Sequence, residues 1–321
     1  MLVYLKPLSI FPELHSDTLF GAITYAISQL YPDDVEEMIK EFEEKPPFLL
    51  SSTFPYAFIN DAGFEDCTKL RFYPKIISKE STDKRYNPQV FKDFKKVKYV
   101  CEDVFFKMIK GELSSSDILE NYGEYHRTKS ILLDSKIDID FSFGDNIIPN
   151  NSVNRVTNET EGIFYTSGKE YKNIGLFFLI EFNNEDYIPI FKAAMRFLRD
   201  RGFGRDISNG KGQFDYIIDE NYSINDFVDD DFNYFITLSR FIPSCEDLTK
   251  INEFSSYEIG SKRGKSAAGE IRKQIRFFKE GSIFPNYQEY YGQIVKSGKD
   301  SPAVEYGFAF PLKCIGNEEV E

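Results

Sequence analysis

The sequence predicts an α+β fold of two ferredoxin-like halves, with glycine-rich loops and a long irregular insertion in the first half. Short runs of aromatic and β-branched residues alternate with segments of helical period. Over residues 1–218 the order is strand, helix, insertion, strand, helix, strand, the order of a βαββαβ unit. Two stretches dense in glycine and basic residues, Gly202–Gly212 and Gly260–Lys265, fall one in each half. The halves are residues 1–218 and 219–321, with the insertion at about 60–152.

Leu2 to Leu8 reads as a first strand, Val3 and Leu5 alternating against Tyr4 and Lys6. After a turn at Pro12–Ser16, Ser16 or Asp17 can cap a helix from about Thr18 to Leu30, with Leu19, Ile23, Ala26, Ile27 and Leu30 on one face. Asp33 to Lys45 is a second, acidic helix that Pro46-Pro47 stops. Phe48 to Tyr56 is a short buried strand or extended run. Residues 60–152 lack a clean period and carry helices at Gln89–Lys96 and Ser115–Tyr122. Asn154 to Phe164 suggests a turn or hairpin. Gly175–Phe182 is a strongly hydrophobic strand, Tyr187–Asp200 a helix and Gln213–Ile218 a strand. Past an acidic linker at Asp226–Asp231, strands are expected at Tyr234–Ser239, Phe254–Gly260 and Ile271–Phe278. The sheet continues at Glu280–Phe284 and closes at Gly307–Leu312, and Glu246–Lys250 is a short turn or helix.

The chain has 321 residues, 41% of them hydrophobic and dispersed, which suits a globular core. No apolar run is long enough to span a membrane, and the N-terminus lacks the basic and apolar regions of a leader, so a cytoplasmic protein is expected. Cys67, Cys101, Cys245 and Cys314 are scattered and suit reduced, mostly buried thiols. Only His15 and His126 could join them, so neither a metal site nor a cofactor is expected. The net charge of −13 argues against a polyanion partner until it is mapped. Residues 69–110, 196–212 and 257–279 carry nets of +7, +3 and +5 in an otherwise acidic chain. Basic islands on an acidic body are compatible with a local polyanion groove. The acidic remainder, including Asp229–Asp231 and Glu318–Glu321, faces solvent or a protein partner.

Gly202-Phe-Gly-Arg-Asp-Ile-Ser-Asn-Gly-Lys-Gly212 is the most telling segment. Its four glycines permit tight turns and close approach, its free amides can form an anion-binding concavity, and Arg205 and Lys211 add charge. It is not a P-loop, because Gly212 follows Lys211 where Ser or Thr belongs. It is not a dinucleotide fingerprint, because the helix precedes the loop and the strand follows it. A helix, a long glycine loop and a strand suit a polymer backbone better than a mononucleotide. The plainer reading is a helix C-cap followed by a mobile turn.

Several motifs in order carry a family resemblance. Pro7-Leu-Ser9 precedes Leu14-His-Ser-Asp-Thr-Leu-Phe-Gly-Ala-Ile23, and Pro46-Pro-Phe-Leu-Leu-Ser-Ser-Thr-Phe-Pro-Tyr56 follows. Asn154-Arg155 with Gly162-Ile-Phe-Tyr165, the glycine loop, Glu280-Gly-Ser282 and Tyr306-Gly307 complete the set. With these the chain resembles the RAMP superfamily of CRISPR proteins over nearly its whole length, most closely the family of the fourth Csm subunit of type III-A effector complexes. One departure is Gly202-Phe-Gly-Arg, where Arg205 fills a position expected to hold a second adjacent glycine.

The resemblance implies two RRM-like domains and a non-catalytic role. The subunit grips the 5′ handle of the CRISPR RNA (crRNA), with the large polymerase-like subunit on one side and the first repeated backbone RAMP subunit on the other. The candidate RNA contacts are Gly202, Gly204, Arg205, Asn209, Gly210, Lys211 and Gly212 in the loop, Arg155 in the central hairpin region, and His15. Lys262, Arg263 and Lys265 form a second cationic arc. Arg199 and Arg201 are weaker candidates, since acids such as Asp200 can pair with them. Phe203 and Tyr165 are candidate stacking rings. His15 can instead pack at the helix start, or act as general base on a 2′-hydroxyl in a metal-independent crRNA-processing endoribonuclease, as in a related enzyme of the superfamily. Asp17 is read as a helix cap and His126 as a surface residue. The remaining alternative is a protein adaptor without direct RNA grip.

Overall fold

The computed structural model describes residues 1–60, 62–78, 87–204, 207–228, 231–264, 273–296 and 304–316. Arg205, Lys265, Asp229, Asp230, Ile271 and the acidic tail Glu318–Glu321 therefore lie outside the described residues.

The first strand, β1 (Leu2–Pro7), has Leu2, Val3 and Leu5 fully buried. Successive strand residues point to opposite faces, so the sheet is covered on both sides, more than the alternation with Tyr4 and Lys6 suggests. Helices α1 (Ser16–Leu30) and α2 (Asp34–Glu44) follow, then β2 (Phe48–Leu50) and β3 (Phe54–Phe58). Farther along come β10 (Ile174–Phe182), α6 (Tyr187–Arg201) and β11 (Phe214–Asp219). The sheet places β1 between β10 and β11, with Leu2 opposite both Leu179 and Asp219, and β3 on the far side of β10. Counting β1, β3, β10 and β11 as strands one to four gives the order 4-1-3-2, all antiparallel, and α1 packs on α6. That is the βαββαβ connectivity expected of the first half.

The stretch 60–152 is not irregular. It supplies β4 (Lys69–Pro74), α3 (Pro88–Phe94), β5 (Tyr99–Cys101), α4 (Glu102–Ile109), α5 (Ser115–Glu120), β6 (Tyr125–Thr128) and β7 (Ile131–Asp134). Four of these strands extend the sheet beyond β3 in the order β4-β5-β7-β6, with β5 and β7 parallel. They are three to six residues long, too short to display a period, and Phe72, Val100, Leu132 and Leu133 are fully buried. His126 is half-buried on the edge strand β6. The suspected turn at 154–164 is the tip of a long ribbon, β8 (Ser142–Val153) against β9 (Thr160–Lys172).

In the second half, β12 (Tyr234–Thr237) is followed by α7 (Cys245–Lys250), then by the hairpin β13 (Ile259–Lys262) and β14 (Ile275–Phe278). After β15 (Ile283–Pro285) come the short pair β16 (Val295–Lys296) and β17 (Val304–Glu305), then β18 (Pro311–Cys314). β12 is the centre of a three-stranded sheet, β15-β12-β18. The expected strand 254–260 is displaced: Ile259–Lys262 form β13, so the start of the second glycine–basic cluster is strand rather than loop. Gly260 lies where a Cβ would stand 2.5 Å from the Phe277 ring, so a side chain there would displace that ring. The described residues of this half do not complete a second βαββαβ set.

The two halves share one core. The Tyr306 ring stacks on Phe20 at 5.0 Å between centroids, and its hydroxyl accepts from Leu50 N at 2.8 Å. Phe42, Phe48 and Phe308 surround them. Each fully buried ring of this kind contributes about 1.5–3 kcal/mol, so the junction is a structural core rather than a loose contact between domains.

Candidate nucleic-acid interface

The glycine loop has the backbone that its composition predicts. Gly202, Gly204, Gly210 and Gly212 have φ of +91°, +96°, +76° and +73°, a region that L side chains rarely occupy. Gly202 ends α6, and its N–H bonds Leu198 O at 2.7 Å. The expectation of free amides is corrected in part. Phe203 N donates to Gly212 O, Gly212 N to Ile10 O and Gly210 N to Ile207 O, so three loop donors close the loop on itself and on the β1–α1 connection. Phe203 is 3% exposed, packed between Phe11 and Phe214; it is core and not a stacking platform. Asn209 is exposed, and Arg205 lies outside the described residues. Arg199 pairs with Asp200, as the sequence allows, while Arg201 lies 4.4 Å from the Tyr25 ring centroid.

The loop leans on the β8–β9 ribbon. Lys211 Nζ donates to Thr166 Oγ1 on β9, and Phe11 and Lys169 exchange backbone contact at the ribbon's base. Lys169 also pairs with Glu13. Along the outer ribbon Ile147, Ile163 and Tyr165 are 65%, 67% and 70% exposed. Tyr165 is thus available to a ligand, as is Arg155, exposed in the turn at the tip.

On the other side of Glu13 a cleft of about 730 Å³ opens. It is lined by His15, Ser52 and Thr53, by Lys75, Lys95, Lys98 and Tyr99, and by Glu258, Lys279 and Glu280 of the second half. The acids there are engaged. Glu13 accepts from Lys169 and Tyr99, Glu258 pairs with Lys279 at 2.8 Å, and Glu280 Oε1 accepts from His15 Nδ1 at 2.9 Å and from Ser52 Oγ at 2.5 Å. Burial pushes the Glu280 carboxyl up, but its hydrogen bonds with His15 and Ser52 hold it below its ordinary value. The turn that carries it needs Gly281: φ is +88°, and a Cβ would stand 2.4 Å from Lys75 O. His15 therefore begins α1 without capping it, its ring turned to Glu280 instead. No lysine of this cleft was singled out from the sequence, although Lys75, Lys95 and Lys98 belong to the +7 island at 69–110 and Lys279 to the +5 island.

The second cationic arc is divided. Lys262 is not available as a bare cation: its Nζ pairs with both Asp17 and Glu305. Arg263 is exposed, and Lys265 lies outside the described residues. Asp17 lies inside the first turn of α1 rather than at its N-cap, and its Oδ1 accepts from Thr18 N at 2.7 Å. Its carboxylate, 2% exposed, joins Lys262 to Arg240 at 3.1 Å. Desolvation raises that carboxyl, while the two cations lower it further, and the net shift is downward. This cluster clamps the start of α1 to the second half. Among the described residues no group of His, Cys, Asp and Glu is arranged to hold a metal.

Three comparisons bear on this arrangement. Residues 230–314 match the CRISPR Csm4 C-terminal domain family. A curated relative, the CRISPR system Cms protein Csm4 of Methanocaldococcus jannaschii, is 25% identical over 308 residues, covering 85% of this chain and 79% of that one. Among solved structures, a chain of a Csm3–Csm4 subcomplex of the type III-A interference complex superposes with a TM-score of 0.63 at 20% identity, covering 97% of this chain and 98% of its own. A chain of a Csm1–Csm4 cassette bound to cA4 does so at 0.55 and 21%, covering 98% and 96%. The structural likenesses establish a common fold over the full length. With them the domain match at 230–314 and the curated relative agree with the expectation drawn from the motifs: the chain is similar to Csm4 proteins over most of its length and carries a Csm4 C-terminal domain.

Proposed function

We propose that this chain is the non-catalytic Csm4 subunit of a type III-A effector complex, gripping the 5′ handle of the crRNA and bridging the large polymerase-like subunit to the first backbone RAMP subunit. The observation that carries the reading is the similarity to a curated Csm4 protein over 308 residues, with the Csm4 C-terminal domain match at 230–314; the full-length fold likeness to chains of a Csm3–Csm4 subcomplex and a Csm1–Csm4 cassette supports it. The geometry is compatible with RNA. The glycine loop, the ribbon and the lysine-bearing cleft form one continuous strip through Lys211–Thr166 and Lys169–Glu13. We read the two halves, divided near residue 218, as two RRM-like units, the second abbreviated. No described helix is long and apolar enough to cross a membrane, and the role places the protein in the cytoplasm with no cofactor.

The test is co-purification with the large and backbone subunits and a labelled crRNA at two salt concentrations. Handle-dependent retention that falls as salt rises supports the reading, because phosphate neutralisation releases counterions. Assembly with no contribution of this chain to handle retention leaves the adaptor reading in its place. One observation favours a second reading: His15, tied to a carboxylate and facing a cleft, has the arrangement of an oriented general base. Metal-independent cleavage of repeat RNA, lost in His15→Ala, would establish that reading instead.

A further inference from the structure

The hydrogen bonds around His15 allow its protons to be placed. Ser16 N–H donates to Ser52 Oγ at 2.9 Å, so the Ser52 hydroxyl gives its own proton to Glu280 Oε1. Glu280, held ionised, is an acceptor only. The contact to His15 Nδ1 at 2.9 Å therefore requires the ring proton on Nδ1. In the neutral imidazole that leaves Nε2 as an acceptor. The His15 side chain is 30% exposed and lines the cleft with Lys75, Lys98 and Lys279, while Nδ1 is turned to the buried carboxylate.

A neutral Nε2 has nothing to offer a phosphate oxygen, which is itself an acceptor. A ribose 2′-hydroxyl is a donor, and it is the group that distinguishes RNA from DNA. We propose that His15, positioned by Glu280 and Ser52, accepts a hydrogen bond from one ribose 2′-hydroxyl of the bound RNA, so that this cleft is where the chain discriminates RNA from DNA. Lys75 and Lys98 line the same cleft and supply positive charge for the flanking phosphates. The inference rests on the RNA-gripping reading and adds to it a named acceptor and a named ligand group.

The experiment is equilibrium binding of the full chain, assembled with its partner subunits, to labelled RNA carrying the handle. Each handle ribose in turn is replaced by a 2′-deoxy or a 2′-fluoro sugar. Neither can donate, and 2′-fluoro keeps the RNA-like pucker. We expect one position at which both substitutions weaken binding roughly fivefold to tenfold, the range of a single hydrogen bond. That penalty vanishes in His15→Ala. It shrinks in Glu280→Gln, whose amide can donate to Nδ1 and so permits the other tautomer. A merely structural role for Glu280 would lower affinity for modified and unmodified RNA alike. Intact binding with no position-specific penalty in the wild-type chain overturns the proposal without any variant, as does a penalty that survives in a folded His15→Ala. A wild-type complex that retains no RNA overturns the parent reading with it.

Discussion

Two alanine substitutions seven ångströms or so of chain apart test whether the glycine loop is a built object or a slack turn. Gly210 and Gly212 have nearly equal φ, +76° and +73°, so each alanine meets the same left-handed cost of about 1–2 kcal/mol. Their surroundings differ. A Cβ on Gly210 has nothing within 4 Å, whereas one on Gly212 would stand 1.8 Å from Phe203 O and 2.8 Å from Phe203 C. Those are backbone atoms and cannot rotate away. To admit the methyl, the loop must open the Phe203 N–Gly212 O bond and disturb Gly212 N–Ile10 O, both 2.8 Å. With about 1 kcal/mol for each hydrogen bond and about 1–3 for overpacking added to the left-handed cost, Gly212→Ala should lose about 4–7 kcal/mol and Gly210→Ala about 1–2. Urea unfolding followed by far-ultraviolet circular dichroism and tyrosine fluorescence measures both, the latter undisturbed because the chain has 20 Tyr and no Trp. Equal losses, or a Gly212→Ala protein within about 1 kcal/mol of wild type, would refute the closed-loop argument.

Asp17→Asn should destabilise by about 3–5 kcal/mol, because it leaves Lys262 and Arg240 without their shared buried anion. The folded carboxyl is lowered, so its contribution is present above the unfolded carboxylate range and lost as pH falls through the folded value; the Asn variant should therefore show a shallower acid-induced loss of stability below about pH 4. Replacing Lys75 and Lys98 together by alanine should weaken RNA retention across handle sequences and reduce the slope of log affinity against log salt by about 2, one per phosphate contact; an unchanged slope assigns the cleft to something other than RNA. Lys211→Ala with Arg205→Ala should weaken handle binding in a protein that still folds, and unchanged affinity would remove the glycine loop from the interface.

What the sequence made legible follows from the range of the signals. Helices α1, α2 and α6, with three or more turns of amphipathic pattern, are found within a residue or two of their expected bounds. The four positive-φ glycines were legible because few other residues tolerate that backbone. The four strands between 69 and 134 were not, since strands of three to six residues are too short to show a period. A local signal was present and unused at α5, where Ser114 and Asp117 form a capping box. The ion cluster was beyond reach in principle: Asp17, Arg240, Lys262 and Glu305 are distributed over 289 positions of chain, and only the fold brings them together. Hence Lys262 reads as a phosphate contact in the sequence and as a structural cation in the fold. Phe203 shows the reverse error of composition, an aromatic ring in a glycine loop that packs inward.

The binding and the nuclease readings converge on one atom, and that fixes which measurement separates them. A neutral His15 Nε2 that accepts from a 2′-hydroxyl is both an anchor and the first requirement of a general base. Cleavage needs more: an attacking oxygen in line with the leaving 5′-oxygen, and a donor that stabilises the charge developing on phosphate. Both readings predict the position-specific 2′-deoxy penalty, because both use the same hydrogen bond, so affinity alone does not discriminate. Integrity of the RNA does. An anchor yields a 2′-hydroxyl contact with a phosphodiester that stays intact over hours, whereas a base yields a product ending in a 2′,3′-cyclic phosphate at the nucleotide whose 2′-substitution also weakens binding. Followed on the same modified RNAs, the two readouts assign His15 its role without reference to any relative.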